Sequence, residues 1–217
     1  NRLGNDGDIA VFRKDGTTVG SIGTDSSSGD FYVQSQITNH AGLGFKVNEV
    51  LPRRNGYVDG IDSLGSSTYR FANLYLSGGV YLGGTGSANK LDDYEEGTWS
   101  PTLPNGGSIS VFRATYTKVG RVVNAYFYAS VTPSNDTSHF RVGGLPFTAK
   151  NVSNYYGGGD GPSYSVDLNT SSWGSPLVHY GQTYVYWHDI TGTGNFILGN
   201  FFSGNAKSLI FNATYCA

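Results

Sequence analysis

The sequence predicts an all-β protein, and three observations support this prediction. The 217 residues include 32 glycines, 16 tyrosines and 12 phenylalanines, a composition that favours short strands and tight turns. Charged residues make up only 14% of the chain, against roughly 25% in an average soluble domain. Helix-forming residues never cluster at a 3.6-residue period, whereas several segments alternate apolar and polar residues with a period of two.

Residues 1–90 are predicted to form an extended shaft of short strands and turns. Residues 9–14 are predicted to form a short strand, in which Ile9, Val11 and Arg13 alternate with Ala10, Phe12 and Lys14. Asp15-Gly16 then favours the positive φ angles of a two-residue hairpin. Further along, residues 69–76 and 80–82 carry apolar side chains in small bursts. Such bursts bury too little apolar surface to offset the entropy of ordering the chain. We therefore expect this region to be stabilised by intertwining with identical copies of itself.

Residues 91–100 are predicted to be an acidic, solvated connector, and residues 101–217 a compact head. Like charges concentrate at Asp92, Asp93, Glu95 and Glu96. Beyond them, the clearest period-2 alternation runs over 121–131 and 208–215. Further strands are predicted near 112–119, 140–142, 164–168, 177–180, 184–190 and 196–202. About eight antiparallel strands at this spacing fit a β-sandwich of the jelly-roll type.

Charge and cysteine content narrow the classes of partner. The net charge of −2 and the pI near 6.1, with no basic stripe, argue against nucleic acid. Cys216 is the sole cysteine, so we expect a free thiol, with an intermolecular bridge near a symmetry axis as the alternative.

No apolar run approaches the roughly 20 residues of a membrane span, so no membrane insertion is expected. Because the sequence contains no methionine, we expect further chain upstream of residue 1.

Catalytic, metal and cofactor sites are not expected. The candidate acids of the head stand in no recognisable catalytic context: Asp136, Asp160, Asp167 and Asp189. The histidines lack the spacing of metal ligands and are interpreted as isolated surface or turn residues: His40, His139, His179 and His188. We therefore predict a protein that is not an enzyme and needs no cofactor.

Aromatic residues of the head are the candidate ligand-binding residues, because sugar rings stack on aromatic faces while polar groups bind the hydroxyls. Tyr155 and Tyr156 precede a glycine run that ends near Asp160 and is predicted to be a mobile loop. Trp173 lies in a second predicted loop, and loops on a rigid scaffold often carry binding residues. The other candidates share one face of a predicted strand: Tyr184, Tyr186 and His188. The alternative for all these rings is packing in the core or between subunits.

Seven motifs, in this order along the chain, resemble segments of bacteriophage tail fibres. They are GNDGD at 4–8, FRKDGTTVGSIG at 12–23, LGSS at 64–67, YRFANLYL at 69–76, LDDYEEGTW at 91–99, YTKVGR at 116–121 and GLPF at 144–147. The first four are similar to shaft repeats and to the segment before many fibre tips. The motifs at 91–99 and 116–121 are similar to the start of a common tip domain, and GLPF to another landmark of that domain. Residues 157–190 carry no such resemblance.

The resemblance implies an extracellular virion fibre that is a homotrimer, with a β shaft joined to upstream tail or fibre proteins and a C-terminal head that recognises the host. The expected receptor is a host cell-surface glycan or an outer-membrane component. Two alternatives stay open: a purely structural trimerisation cap, and a polysaccharide depolymerase, which would need two facing carboxylates in a groove.

Overall fold

The computed structural model describes residues 5–25, 29–134, 137–160, 174–189 and 206–217. The chain divides into two compact units, residues 1–75 and residues 76–217, which we call the first and second units. All strand pairs within the described residues are antiparallel. The predicted all-β, antiparallel class is therefore confirmed.

The first unit is built on a five-stranded meander in which each strand pairs with the next along the chain. Its strands are β1 (Gly7–Lys14), β2 (Thr17–Asp25), β3 (Asp30–Ser35), β4 (Gly42–Lys46) and β5 (Glu49–Arg53). Asp15 and Gly16 join β1 to β2 with φ angles of 49° and 78°, which confirms the hairpin predicted from these two residues.

One face of this meander is closed by a polar cluster around Arg53, whose side chain is buried. The Arg53 guanidinium forms an ion pair with Asp25, donates from Nε to Gln34 Oε1 at 2.7 Å, and lies 4.1 Å above the Tyr32 ring. The Tyr32 hydroxyl in turn donates to Asp8 Oδ1 at 2.8 Å. A buried charge is tolerated only when it is paired in this way.

The opposite face of the meander is apolar and exposed. One row of paired residues crosses all five strands without a polar side chain: Ala10, Ile22, Val33, Leu43 and Pro52. The adjacent row pairs Phe31 with Phe45 and Phe45 with Val50, and the two phenylalanine rings lie 5.6 Å apart. Exposed fractions of 44% for Val33, 47% for Leu43 and 43% for Phe31 show that no described residue of the first unit covers this face.

Between the two large sheets the chain has little regular structure. No strand is assigned from residue 58 to residue 79, and the apolar side chains there are exposed, Tyr75 by 89% and Leu64 by 73%. A small two-stranded sheet follows, with β6 (Val80–Tyr81) paired to β7 (Lys90–Leu91). A single 3-10 turn over Ser87–Asn89 lies between them. In the described parts of the chain, no helix is long and apolar enough to cross a membrane.

The described residues of the second unit form an eight-stranded sheet in the order β11-β14-β13-β12-β15-β10-β9-β8. The strands are β8 (Tyr94–Thr98), β9 (Gly107–Val119), β10 (Val122–Pro133), β11 (Arg141–Gly143), β12 (Gly157–Asp160), β13 (Gly174–Val178), β14 (Tyr184–Asp189) and β15 (Lys207–Cys216). The predicted strands at 121–131, 184–190 and 208–215 match β10, β14 and β15. The strands predicted near 164–168 and 196–202 fall outside the described residues.

The core of the second unit lies on one face of this curled sheet. Every second residue of β10 faces it, from Val123 to Val131, each with no exposed surface. Phe127 contacts Phe211 at a ring distance of 4.8 Å, and Phe211 contacts Trp187 at 5.0 Å. The curl brings Thr102, in the segment after β8, to Gly143 of β11 at the far end of the sheet. In the described residues, the strands of the second unit therefore form one continuous sheet that curls around the core.

Two predicted irregular segments are strands. Residues Tyr94–Thr98 of the acidic connector form edge strand β8, which pairs with β9. The glycine run after Tyr156, predicted to be a mobile loop, is instead strand β12 inside the sheet. Its glycines are close to their neighbours: a Cβ at Gly157 would lie 2.4 Å from Tyr215 Cβ, and one at Gly159 would lie 2.0 Å from Asn212 O. Glycine here allows two strands to approach, which the composition alone does not distinguish from a loop.

A matched pair of substitutions tests this packing. Gly159→Ala is expected to destabilise the second unit by about 1–3 kcal/mol, because its methyl group would overlap a backbone carbonyl. Gly158→Ala, whose Cβ would meet nothing within 4 Å, is expected to stay within about 1 kcal/mol of the parent. Urea unfolding followed by tryptophan fluorescence measures both, since all three tryptophans lie after residue 75. Equal effects of the two substitutions would contradict this account of β12.

Candidate functional site

A strip of aromatic side chains lies on the outer face of the second unit. In β14, Val185 and Trp187 are buried in the core, so Tyr184 and Tyr186 project from the opposite face. Three further rings from neighbouring segments extend this pair. We call the set the aromatic strip: Tyr156, His179, Tyr180, Tyr184 and Tyr186.

The strip is continuous through edge-to-face ring contacts. His179 lies at its centre, with ring centroids 5.0 Å from Tyr156 and 5.0 Å from Tyr186. Tyr156 also contacts Tyr180 at 5.8 Å, and Tyr184 contacts Tyr186 at 5.0 Å. Such contacts hold the rings in fixed orientations. Tyr156 is 49% exposed and the other four are half-buried, so the strip combines fixed geometry with an accessible surface.

Two basic side chains border the strip. The Arg141 guanidinium, from β11, lies 5.2 Å from the Tyr184 ring centre and 5.4 Å from that of Tyr186. His139, just before β11, contacts the Tyr186 ring at 6.2 Å. The strip therefore ends, at the β11 edge of the sheet, on a cation held against two tyrosine rings.

Two tyrosines of this region, Tyr155 and Tyr186, have raised pKa values, which keep their hydroxyls protonated. Burial and the hydrogen bond that Tyr186 donates to the Tyr184 hydroxyl at 3.2 Å raise the pKa of Tyr186 to about 12. The contact between the Tyr155 hydroxyl and the Cys216 Sγ, 3.4 Å long, raises the pKa of Tyr155. A protonated phenol both donates and accepts hydrogen bonds, which suits recognition of hydroxyl groups.

A shallow polar depression lies on the same outer face. It is lined by Asn124, Asn212, Thr214 and the backbone of Gly158 and Gly159. Asn124 Nδ2 donates to Thr214 Oγ1 at 3.0 Å, and all three side chains are exposed. The two glycines leave the floor of the depression without side chains, so its backbone is open to a ligand.

The strand register places the depression and the strip in one line. Tyr186 pairs with Leu177, Leu177 with Gly158, Gly158 with Thr214, and Thr214 with Asn124. We call this line the outer row. It runs across five strands, which at about 4.8 Å per strand gives a length of roughly 19 Å. Aromatic groups occupy one end and hydrogen-bonding groups the other.

The structure brings together some of the predicted site residues. Tyr156, Tyr184 and Tyr186 all belong to the aromatic strip. Tyr155 turns away from its neighbour and lies beside Lys150, whose Nζ is 5.4 Å from its ring, and Cys216.

The remaining predicted residues are placed only in part. The backbones of Asp160 and His188 pair with Asn212 and Ser175, and their side chains are outside the description. Trp173 lies outside the described residues. No group of three or more His, Cys, Asp or Glu side chains arranged to hold a metal ion occurs within the described residues.

The sequence analysis misses several residues of this surface. His179, interpreted as an isolated surface or turn histidine, is half-buried at the centre of the strip, so that interpretation is wrong. The feature of the sequence that could have identified His179 is its position in the predicted strand 177–180, directly before Tyr180. Asn124 and Thr214 stand on the polar faces of the two clearest strands, but nothing local indicates that those strands are neighbours. Arg141 has no signature in the sequence.

Comparison with known proteins adds no relative to this description. No protein-family model, no curated protein and no solved structure matches the chain. The resemblance of its motifs to tail fibres therefore stays a prediction, and the arguments below rest on the residues of this chain.

The raised pKa of Tyr186 leads to a prediction about alkaline stability. Tyrosine in an unfolded chain titrates near pH 10, so between about pH 10 and 12 the folded state holds this proton and the unfolded state does not. Its contribution to stability is complete below pH 10 and falls as the pH rises towards 12. Urea unfolding is measured at pH 8, 9.5 and 11. The free energy of unfolding is expected to fall more steeply with pH for the parent than for Tyr186→Phe. Parallel curves would contradict the assignment.

Proposed function

We propose that this chain is the distal part of a bacteriophage tail fibre and that its second unit attaches the virion to a glycan on the host cell surface. It would act as a homotrimer, outside the cell and without catalysis. The observation that carries the proposal is the junction of two surfaces: the aromatic strip meets the outer row at Tyr186, and the row leads across Leu177 and Gly158 to the exposed Thr214 hydroxyl and Asn124 amide. The order of the tail-fibre-like motifs along the chain supports it.

The chemistry of the outer row fits a saccharide. The apolar C–H faces of a sugar ring pack against aromatic side chains, and its hydroxyls bond to groups such as the Asn124 and Asn212 amides and the Thr214 hydroxyl. All of these groups stand on strands or directly beside them, so little entropy is lost when they bind. A shallow surface binds each saccharide weakly. Many copies on one virion compensate through multivalency.

The first unit supports self-association. Its five-stranded sheet has a polar cluster on one face and an uncovered apolar face on the other, and a single sheet layer without a covered face is not a stable domain. The apolar face has no charge at its central rows that would select a charged partner. We propose that further copies of the same chain cover this apolar face.

The size of the apolar face agrees with this occupant. Its exposed side chains are Phe12, Phe31, Val33, Leu43, Phe45 and Val50. They leave on the order of 500 Å² of apolar surface per chain, so two facing copies would bury roughly 1,000 Å², the lower bound for a specific interface. The exposed apolar residues of the segment 61–75 would add to this area in an intertwined assembly.

Glycan binding is tested with a double substitution in the strip. Tyr156→Ala with Tyr186→Ala removes two ring contacts around His179 and is expected to weaken binding on an array of bacterial surface saccharides by roughly 10- to 100-fold. The matched control is Phe112→Ala with Tyr128→Ala. That pair is also in ring contact, at 4.7 Å, on the same sheet but outside the strip, and its binding is expected to be unchanged.

Two outcomes would contradict the proposal. Equal binding by both double variants would remove the strip from the receptor site. Failure of the intact trimer to bind any saccharide or any bacterial cell would favour the structural cap instead.

Self-association is tested on the apolar face of the first unit. Val33→Lys with Leu43→Lys places charges at two paired central positions, and burying them unpaired between chains is strongly unfavourable. Light scattering after size-exclusion chromatography is expected to give a mass of three chains for the parent and one chain for the variant. Val47→Lys, in the turn between β4 and β5 and 86% exposed, is the control and should remain a trimer. A parent protein that runs as one chain would overturn this part of the proposal.

A further inference from the structure

Among the residues that the structure describes, the Arg141 guanidinium has no hydrogen-bonding or ionic partner. Its Nε–H is buried and donates to no residue that the structure describes, and no ion pair joins the guanidinium to a carboxylate of those residues. The guanidinium does contact two aromatic rings, those of Tyr184 and Tyr186, at 5.2 and 5.4 Å. An unsatisfied buried donor is unfavourable, more so when it is charged.

A second arginine that lies over a tyrosine ring, Arg53, is buried and has polar partners. Arg53 of the first unit also lies over a tyrosine ring, but it donates to Gln34 and is paired with Asp25. Those contacts account for Arg53 as a structural residue. The contrast indicates that Arg141 is held in place by its rings, while its terminal Nη groups, which are not among the buried unpaired atoms, are kept for a group from outside the chain.

Arg141 stands at the end of the outer row. In the strand register it pairs with Tyr186, so the row continues from Tyr186 onto β11. Val142 is buried, which places Arg141 on the outer face with Tyr186. A ligand that lies along the outer row would therefore meet aromatic rings and a fixed cation at one end, and amide and hydroxyl groups at the other.

We propose that Arg141 binds the carboxylate of an acidic sugar residue, so that the second unit selects acidic over neutral glycans. A planar guanidinium matches a carboxylate through two parallel hydrogen bonds, whereas an ammonium offers only a point charge. The rings of Tyr184 and Tyr186 fix the plane of the guanidinium and lie where the attached sugar ring would pack. This inference rests on the proposed glycan-binding function and specifies its substrate class.

The experiment compares one uronic-acid-containing oligosaccharide with the same oligosaccharide after its carboxyl groups are reduced to alcohols. The parent trimer is expected to bind the carboxylate form roughly 10- to 100-fold more tightly. Arg141→Gln should abolish that preference and keep the weaker binding of the reduced form. Arg141→Lys should retain a smaller preference that salt removes more readily. Arg113→Gln, which removes an exposed arginine of β9 in the same sheet, is the matched control and should bind like the parent.

The possible failures are distinguishable. Equal affinity of the parent for both forms would overturn the inference and leave the glycan-binding function standing. Binding of neither form, nor of any other saccharide on the array, would overturn both. Tighter binding of a phosphorylated than of a carboxylated oligosaccharide would overturn the carboxylate assignment. Because the comparison of the two ligand forms uses the parent protein, it tests the selection of acidic glycans even where Arg141→Gln fails to fold, and Arg141→Lys then tests the residue: an undiminished preference in that variant would overturn its assignment.

Discussion

The second unit depends on one ring contact across its core, between Trp187 of β14 and Phe211 of β15 at 5.0 Å. These strands are separated by β13 and β12 in the sheet, so in a flat sheet they would lie about 14 Å apart. The contact therefore exists only because the sheet curls. Because Trp187 occupies the inside of the curl, its neighbour Tyr186 must lie outside. The packing of the core thus determines the position of the candidate binding surface.

Glycine makes this geometry possible in both units. At Gly157 and Gly159 the missing side chains let β12 fit between β13 and β15. In the first unit, a Cβ at Gly23 would lie 2.5 Å from the Tyr32 hydroxyl, and one at Gly44 would lie 2.5 Å from the Tyr57 ring. Some glycines of this chain therefore allow close packing, because a ring or a backbone segment can lie directly on the sheet where the side chain is missing. If these glycines are interpreted only as turn formers, the sequence predicts a loop after Tyr156 where the protein has strand β12.

The sequence predicts what depends on local alternation. The two faces of β10 and β15, the hairpin at Asp15-Gly16 and the shared face of Tyr184 and Tyr186 follow from periods of two and from backbone preferences. The outer row does not follow from them, because it is assembled by pairing between distant segments; Asn124 and Thr214 are bonded across 90 residues of chain. Arg141 and His179 gain their roles only through that pairing. The fold class was therefore predictable, while the site was predictable only in those members that share a strand or precede one directly.

The two units present surfaces of opposite physical character. This contrast is consistent with the two roles proposed for them, self-association for the first unit and glycan binding for the second. The apolar face of the first unit offers neither charge nor hydrogen-bonding side chains along its central row, as in permanent interfaces that resemble a divided core. The outer row of the second unit mixes rings with amides, hydroxyls and a guanidinium, and polar groups of this kind exchange readily with water. A surface of the first kind favours lasting association between chains, and one of the second kind favours reversible contact with a hydrated ligand. In a trimer built through the first unit, the outer row would be repeated three times, so weak contacts would combine into firm attachment without high affinity at any single site.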